Sequence, residues 1–289
     1  MDTAMRQHWR ERLGRFGVWR GVTQVSAELA GSLERMGFGA VWLGGSPGAD
    51  LAVVDELLEA TSTLVIATGI VNMWNSDPHE VAASFARIEA AHPGRFLLGL
   101  GAGHREATRQ YDKPYDTLAR YVGTLLADGV PGGSMVLAAL GPKMLRLAAD
   151  ETAGAHPYLV PVSYTRQARE LLGPDPLLAT EHKAVLESDP QAARAIGRPR
   201  VSRPYLGLVN YTSNLRRLGW SEEDLAEPGS DALIDALVAH GDPAQVGAQL
   251  TEHLFAGADH VCVQLLTAEG ADLTDGYRRL ASGLGLAAR

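Results

Sequence analysis

The chain has 289 residues, of which 46% are hydrophobic and 21% charged, a balance that is ordinary for a compact globular protein and excludes a long disordered tail. Its formal net charge of -8 comes without a cluster of lysine and arginine, which argues against nucleic-acid and membrane partners and favours a small-molecule substrate. The single cysteine, Cys262, excludes an internal disulfide and a thiolate metal cluster within one chain.

Short apolar runs alternate with longer amphipathic ones, which is the pattern of βα units around a parallel sheet. The predicted strands are residues 16–19, 40–43, 64–71, 96–101, 135–139, 155–160, 183–187 and 261–266. The predicted helices between them include residues 22–36, 51–60, 80–91, 115–127, 204–218, 231–240 and 243–255. Eight strands with intervening helices predict an α/β fold, a single (β/α)8 TIM barrel in which residues 1–289 form one domain.

No segment predicts export or membrane insertion. The first residues run into charged side chains before any apolar signal core forms. No stretch approaches the roughly 20 apolar residues that a membrane span needs. We therefore expect a cytoplasmic location.

The residues after the fourth predicted strand are candidates for a functional site, because barrel enzymes carry their chemistry at the C-terminal ends of strands. The run from Gly99 to His104 places glycines and a histidine there. Its glycines lack the spacing and the acidic partner of a dinucleotide fingerprint. Residues without side chains would let a flat ring lie against the backbone, and tight packing inside the barrel is the alternative.

The turn after the fifth predicted strand is a second candidate. There Gly141, Pro142, Lys143 and Met144 open a helix. Free backbone amides at the positive end of a helix bind phosphate or carboxylate, and Lys143 would add charge. An ordinary connection between a strand and a helix would use the same residues.

Histidines and tryptophans supply the remaining candidates. His104 could move a proton near neutral pH or serve only as a structural hydrogen-bonding group. The other histidines have no partner at ligand spacing, so the sequence predicts no metal site. Trp19, Trp42 and Trp74 come near three successive strand ends, where they would form either aromatic walls or barrel packing.

Six segments, most of them at predicted strand ends, together resemble a known family. They read GVW at 17–19, ATGIVN at 67–72, HPGRFLLGLG at 92–101, AALGPKM at 138–144, GAHPY at 154–158 and GADHV at 257–261. In this order they resemble the luciferase-like monooxygenase superfamily, specifically its branch that depends on the deazaflavin coenzyme F420. The resemblance runs over almost the whole chain.

The resemblance implies a barrel whose rim holds a deazaflavin or flavin ring. It implies a cis peptide bond without proline at about Gly69-Ile70, with Asn72 close to the ring. The residues that it implies at the cofactor are Gly69, Ile70, Asn72, Gly101, Ala102, Gly103 and His156 around the ring, and Gly141, Pro142, Lys143 and Met144 at the phosphate. His104 is the expected catalytic residue, and a homodimer is the oligomeric state that the family suggests.

One position departs from the family pattern. Relatives that oxidise sugar phosphates or alcohols carry an acidic residue and a histidine after the second strand, where this chain has Gly44, Gly45 and Ser46. Those activities therefore do not carry over, and His104 becomes the expected acid or base. Three functions stay open: an F420-dependent oxidoreductase acting on a small organic substrate, an FMN-dependent monooxygenase, and a cofactor-binding barrel without turnover.

Overall fold

Parallel strands close into a barrel in the computed structural model, which describes residues 3–107 and 112–288. The strands are β1 (Phe16–Gly21), β2 (Ala40–Gly44), β3 (Val65–Thr68), β4 (Val71–Asn72), β5 (Phe96–Gly101), β6 (Met135–Leu137), β7 (Gly154–Ala155), β8 (Leu177–Val185), β9 (Val238–His240) and β10 (His260–Leu266). Because β3 and β4 both pair with β5, they form two halves of one stave. Pairing of β10 with both β1 and β8 closes an eight-stave barrel, as predicted.

Helices surround the barrel. They are α1 (Thr3–Leu13), α2 (Ala27–Arg35), α3 (Ala52–Glu59), α4 (Pro78–Ala91), α5 (Pro114–Ala127), α6 (Pro142–Glu151), α7 (Val162–Leu172), α8 (Pro190–Ser202), α9 (Val209–Arg217), α10 (Glu222–Leu225), α11 (Asp231–Leu237), α12 (Pro243–Phe255) and α13 (Leu273–Gly283). Aspartate caps start α4, α8 and α12, each followed by proline. Within the described ranges no helix is both long and apolar enough to cross a bilayer.

Alternating side chains along the strands build two cores. Outward-facing residues pack against the helices in the larger core. Inward-facing residues fill the barrel itself, and they are Ala40, Trp42, Val65, Ala67, Leu97, Val136, Leu177, Ala179 and Cys262. The fully buried Cys262 is therefore a core thiol.

Helix α1 covers the N-terminal ends of the strands. Trp9 and Leu13 belong to the same apolar cluster as the inward-facing strand residues. The Trp9 indole donates a hydrogen bond to the carbonyl of Gly133 at 2.6 Å. Arg10 holds the other side of the helix through an ion pair of 2.8 Å with Asp259. The interior is filled and capped at this end, so the functional end is the opposite one.

Several strand predictions were wrong in their bounds. The sixth strand was predicted at residues 155–160 but ends at Ala155, because Leu159 adopts a φ of 53° and its amide binds the Glu181 carboxylate instead of a strand. The seventh was predicted at 183–187 but spans Leu177–Val185. The charged residues in its middle interrupt the apolar pattern on which the prediction depended. The fifth strand ends at Leu137, two residues early.

Helix bounds also needed correction in three places. The helix predicted at residues 22–36 starts at Ala27, where the Ser26 side chain caps it. Residues 204–218 divide into a short 3₁₀ turn at 205–207 and helix α9. The helix predicted at 231–240 ends at Leu237, because Val238–His240 pairs with the C-terminal end of β8 as strand β9.

A second, smaller cluster lies over the C-terminal end of the barrel. It consists mainly of side chains from α8, α9 and α11. Tyr158, Tyr205 and Tyr211 belong to it or pack against it. This cluster therefore forms a partial roof over the barrel mouth, where the predicted site residues lie.

Candidate active site at the barrel mouth

The segments that follow the third stave (β3 with β4) and the fourth stave (β5) lie against each other. The peptide bond between Gly69 and Ile70 is cis, at the position that the resemblance implied. Asn72 pairs with Gly101 in parallel register, and the Trp74 indole donates to the Ala102 carbonyl at 2.7 Å. These contacts bring the predicted residues of both exits together at one side of the mouth.

Gly103 needs to be glycine at this junction. Its φ is 58°, a left-handed conformation that side chains disfavour. A Cβ atom there would come within 2.6 Å of Asn72 Nδ2. The glycine thus allows the chain after β5 to pass directly over Asn72 on its way to His104.

Two buried polar atoms meet beneath Gly69. A Cβ atom on Gly69 would lie 2.9 Å from His156 Nε2 and 3.0 Å from Trp19 Nε1. Neither atom has a hydrogen-bond partner among the residues that the structure describes. His156 is only 1% exposed and stacks on Trp42 with 4.2 Å between the ring centroids, so it lies inside the barrel below the rim.

The tautomer of His156 follows from its other nitrogen. Nδ1 lies 2.9 Å from the Ala179 carbonyl, an acceptor, so Nδ1 carries the hydrogen and Nε2 presents a lone pair. Burial lowers the pKa of His156 to about 4, which keeps the ring neutral at pH 7. Beneath Gly69 there is therefore one unused acceptor, His156 Nε2, beside one unused donor, Trp19 Nε1.

His104 lies half-buried on the loop that leaves β5. Its ring contacts Tyr211 at 5.6 Å and Tyr205 at 6.3 Å between centroids. Burial lowers the pKa of His104, although Glu106 opposes this shift. The imidazole is consequently neutral at pH 7 and can accept a proton.

The start of α6 offers backbone donors without a capping side chain. Gly141 is the N-cap residue, and no side chain caps the helix. A Cβ atom on Gly141 would meet nothing within 4 Å. Lys143 is exposed in the first turn, while Met144 is partly buried and packs on the core. Arg217 Nη2, at 3.4 Å from the Leu140 carbonyl, brings a second cation near this turn. The turn is suited to an anion.

The sequence prediction missed an ion pair inside the barrel. Lys183 Nζ lies 3.1 Å from Glu181 Oε1, and the two side chains are 1% and 0% exposed. The second carboxylate oxygen of Glu181 accepts from the Leu159 amide at 2.8 Å. Burial raises the pKa of Glu181 and lowers that of Lys183, and each group opposes the shift of the other.

Aromatic rings form a continuous line across the mouth. Adjacent centroids are 5.1 Å apart for Trp19 and Tyr158, 5.3 Å for Tyr158 and Tyr205, and 5.0 Å for Tyr205 and Tyr211. Since His104 contacts Tyr211, the line ends at the exit of β5. We call these five residues, Trp19, Tyr158, Tyr205, Tyr211 and His104, the aromatic wall.

Polar groups back the aromatic wall. The Tyr205 hydroxyl donates to the Tyr158 hydroxyl at 2.9 Å, which donates to Gln264 Oε1 at 3.0 Å. Lys183 Nζ lies 4.1 Å from the centroid of the Tyr158 ring, within the range of a cation–π contact. The wall is thus fixed from behind by hydrogen bonds and by the buried ion pair.

One signal in the sequence could have revealed this second group of residues. Glu181, His182 and Lys183 interrupt a stretch that is otherwise apolar, and buried charges in a core strand are rare unless they are paired or functional.

The structure distinguishes the two roles that the sequence left open for the tryptophans, barrel packing and aromatic walls. Trp42 is barrel packing, whereas Trp19 and Trp74 are partly exposed near the rim.

Comparison with known proteins agrees with this architecture. A family model described as luciferase-like monooxygenase matches residues 20–127, a segment that runs from the end of β1 through α5. It therefore covers the second, third and fourth staves with the segments that follow them, but only the last two residues of β1. The predicted resemblance to the luciferase-like monooxygenase superfamily is confirmed over this segment.

Solved structures match over nearly the full length. An F420-dependent secondary alcohol dehydrogenase in complex with an F420-acetone adduct superposes with a TM-score of 0.73 at 15% identity, covering 94% of this chain and 98% of its own. The apo form of MsnO8 gives 0.70 at 20%, covering 95% and 99%. The oxygenating constituent of 3,6-diketocamphane monooxygenase from Pseudomonas putida, in complex with FMN, gives 0.63 at 12%, covering 95% and 97%. At these identities the likeness shows the fold, and both cofactors occur among the similar structures.

Proposed function

Because the chain folds as a luciferase-like barrel, we propose that it is an oxidoreductase that moves hydride between the deazaflavin coenzyme F420 and a small organic substrate. The observation that supports this best is the pair of unused polar atoms, Trp19 Nε1 and His156 Nε2, beneath Gly69. Buried polar atoms without partners are costly. A heteroaromatic ring at Gly69, rich in hydrogen-bonding atoms, would give both of them partners.

The remaining residues suit the two ends of such a cofactor. Ala102 and Gly103 are partly exposed and carry at most a methyl group, so a flat ring can approach the backbone closely there, whereas Gly101 is buried beneath them. The uncapped amides of Lys143 and Met144 at the start of α6, with the Lys143 ammonium, suit a phosphate. These positions are the ones that the resemblance implies.

When bound, the coenzyme would supply the carbon atom that exchanges hydride with the substrate. The protein must then handle the proton. When a substrate hydroxyl is oxidised to a carbonyl, hydride leaves the carbon and the hydroxyl proton goes to a base. Neutral His104 is able to accept that proton, and in the reverse direction it returns the proton to the new hydroxyl.

Binding experiments with both cofactors test this proposal. We expect F420 to bind the purified protein, with its own fluorescence quenched, and FMN to bind far more weakly. Binding of FMN alone would reject the proposal in favour of the flavin monooxygenase. If neither cofactor binds, both enzyme functions fail, and the barrel without turnover is rejected as a cofactor-binding protein as well.

A substitution below the ring adds a structural test. We expect Trp19→Phe to weaken F420 binding about 5–10-fold, because it removes one hydrogen-bond donor and keeps most of the ring. Trp9→Phe is the matched control, since it removes an indole N–H at the opposite, closed end of the barrel, where it donates to the Gly133 carbonyl. Equal affinities of both variants would contradict the assignment of Trp19.

A homodimer also stays a proposal, and sedimentation of the purified protein would test it.

A further inference from the structure

We propose that the aromatic wall, with Gln264 beside it, binds the substrate, and that this substrate is a neutral compound with a planar aromatic ring and an oxidisable oxygen group, a hydroxyl on a hydrogen-bearing carbon next to the ring or the corresponding carbonyl. The inference rests on the proposed function and names the substrate class of the same site. It follows from three separate properties of the wall: the continuity of its rings, its unused hydrogen-bonding capacity and its charge balance.

The rings are spaced as aromatic partners are. Neighbouring centroids in the wall lie 5.0 to 5.6 Å apart, within the 4.5–7 Å of favourable aromatic pairs. Trp19, Tyr158, Tyr205 and His104 are all partly exposed, so part of each side chain is accessible at the mouth. A planar unsaturated ligand gains stacking and edge contacts along this line that a saturated one does not.

Tyr158 and Gln264 have hydrogen-bonding positions that no contact among the described residues uses. Tyr158 uses its hydroxyl hydrogen on Gln264 Oε1 and accepts from Tyr205, which leaves one lone pair. Gln264 Nε2 makes no hydrogen bond to any residue in the described part of the chain. Because Tyr158 and Gln264 are both partly exposed, a ligand hydroxyl could donate to Tyr158 and a ligand carbonyl could accept from Gln264.

The charge balance of the wall favours a neutral ligand. Glu181 and Lys183 sum to zero, whether they stand as an ion pair or as the neutral acid and amine. His104 and His156 are neutral at pH 7, because burial lowers the pKa of each. Arg200, the cation that acts on both Lys183 and the wall residue Tyr205, is exposed and screened by solvent. An anionic group buried against the wall would therefore lack a counter-charge, which is strongly unfavourable.

Three probes of similar size separate these properties. We would measure their binding to the full-length protein by calorimetry at pH 7, both without coenzyme and with saturating F420. 2-Naphthol has the aromatic plane and a neutral oxygen, 2-naphthoate has the plane and a negative charge, and 2-decalol has the oxygen without the plane. We expect 2-naphthol to bind about tenfold more tightly than 2-naphthoate and about fivefold more tightly than 2-decalol.

Substitutions at Tyr158 and Gln264 test whether the probes bind at the aromatic wall. Tyr158→Phe should weaken 2-naphthol binding about 5–10-fold, because it removes the acceptor and keeps the ring. Gln264→Leu should weaken binding of 2-acetonaphthone, the ketone of the same ring system, by a similar factor. Tyr277→Phe is the matched control, because Tyr277 is a buried tyrosine of α13 in the outer core. It should leave both affinities unchanged.

Several results would overturn the inference. Binding of 2-naphthoate as tight as that of 2-naphthol would show an anion site, and equal binding of 2-decalol would remove the role of the rings. If neither Tyr158→Phe nor Gln264→Leu changes the affinity for its probe, the probes bind elsewhere. The proposed function is judged separately by cofactor titration: F420 binding without probe selectivity rejects only the substrate class, and probe selectivity without F420 binding rejects only the cofactor.

Discussion

Lys183 and Glu181 stand two residues apart on one strand, their charged atoms 3.1 Å apart inside the barrel. The inward-facing residues that precede them on β8, Leu177 and Ala179, are apolar. A buried ion pair stabilises a fold less than a well-packed apolar pair does, yet removing one partner leaves an uncompensated charge. The pair is therefore costly to disturb at one side only.

Stability measurements on single and double variants test this relationship. Lys183→Met should lower the free energy of unfolding by about 3–5 kcal/mol, because it strands the Glu181 charge in the barrel. The double variant Glu181→Leu with Lys183→Met should recover most of that loss. Urea titrations give the free energies of unfolding of Lys183→Met, of Glu181→Leu and of the double variant. If the effects of the two single substitutions simply add up in the double variant, the two side chains are not coupled.

An exposed ion pair provides the control. Arg278 and Asp275 lie 2.7 Å apart with side chains that are 63% and 49% exposed. Arg278→Met should change the free energy of unfolding by less than about 1 kcal/mol.

His104→Ala should reduce turnover about 10²–10⁴-fold and change the affinity for F420 less than twofold, because the imidazole moves a proton and does not hold the coenzyme. Steady-state rates and cofactor titrations give the two numbers. His79→Ala, at an exposed histidine, is the control. Weakened coenzyme binding with an unchanged rate would assign His104 to binding instead.

The pH dependence of the rate gives His104 a second test. Because burial lowers its pKa below the usual 6.5, the neutral base persists below that pH. Oxidation of a hydroxyl substrate should therefore decline only when the pH falls below about 6.5. A decline that begins above pH 7 would point to another group.

Lys143→Ala should weaken F420 binding about tenfold, because it removes a charge beside the open start of α6. Arg146→Ala is the matched control, since Arg146 is also exposed but lies one turn further along α6. The difference between the two variants should shrink in high salt. Equal affinities at low salt would count against a phosphate at this turn.

Gly103→Ala should weaken F420 binding and destabilise the protein, because the added Cβ atom must displace Asn72 at the rim. Gly129→Ala is a control of the same backbone type: its φ is 91°, and a Cβ atom there meets nothing within 4 Å. Both variants carry a left-handed cost of about 1–2 kcal/mol. Only Gly103→Ala should change cofactor affinity, and an equal change in both would remove the role of Asn72.

Buried histidines should make the protein sensitive to acid. Burial lowers the pKa of His156, His182 and His260 from 6.5 to about 4. Between these values the unfolded chain binds more protons than the folded one, so stability is full above pH 6.5 and is lost as the pH falls towards 4. The loss is about 3 kcal/mol for each histidine, measurable by urea titration at successive pH values.

A substitution at His260 measures how much one buried histidine contributes to the loss of stability at low pH. Its Nε2 accepts from the Trp42 indole at 3.1 Å, and its Nδ1 donates to the Gly14 carbonyl at 2.8 Å, so neither nitrogen has room for another proton. His260→Gln should flatten the dependence of stability on pH by the share of one histidine. The same slope in the wild-type protein and in His260→Gln would contradict the assignment.

The barrel was predictable because its strands and helices carry local signals. Apolar runs mark most staves, and Asp77, Asp189 and Asp242 mark helix starts through their side chains alone. The position of the cis peptide at Gly69 and Ile70 came from resemblance, because nothing in the local sequence distinguishes it from other strand ends.

The missed features depend on contacts between distant residues. The Glu181 carboxylate binds the Leu159 amide and Lys183, and only the folded barrel brings these groups to its mouth. Tyr205 and Tyr211 lie in a segment whose helical pattern gave no reason to place it above the barrel. The aromatic wall can therefore be recognised only in the folded structure, although the charged residues behind it, Glu181 and Lys183, stand out in the sequence of β8.

Helix α1 has a kinetic consequence. Since Trp9 and Leu13 fill the N-terminal end of the barrel, a molecule that reaches the interior layer around Gly69 enters and departs through the mouth. A coenzyme ring against Gly69 and a substrate against the aromatic wall share that passage, and the deeper of the two must arrive first and leave last. Initial-rate patterns should therefore show a compulsory order of addition rather than independent binding, with product release preceding exchange of the coenzyme.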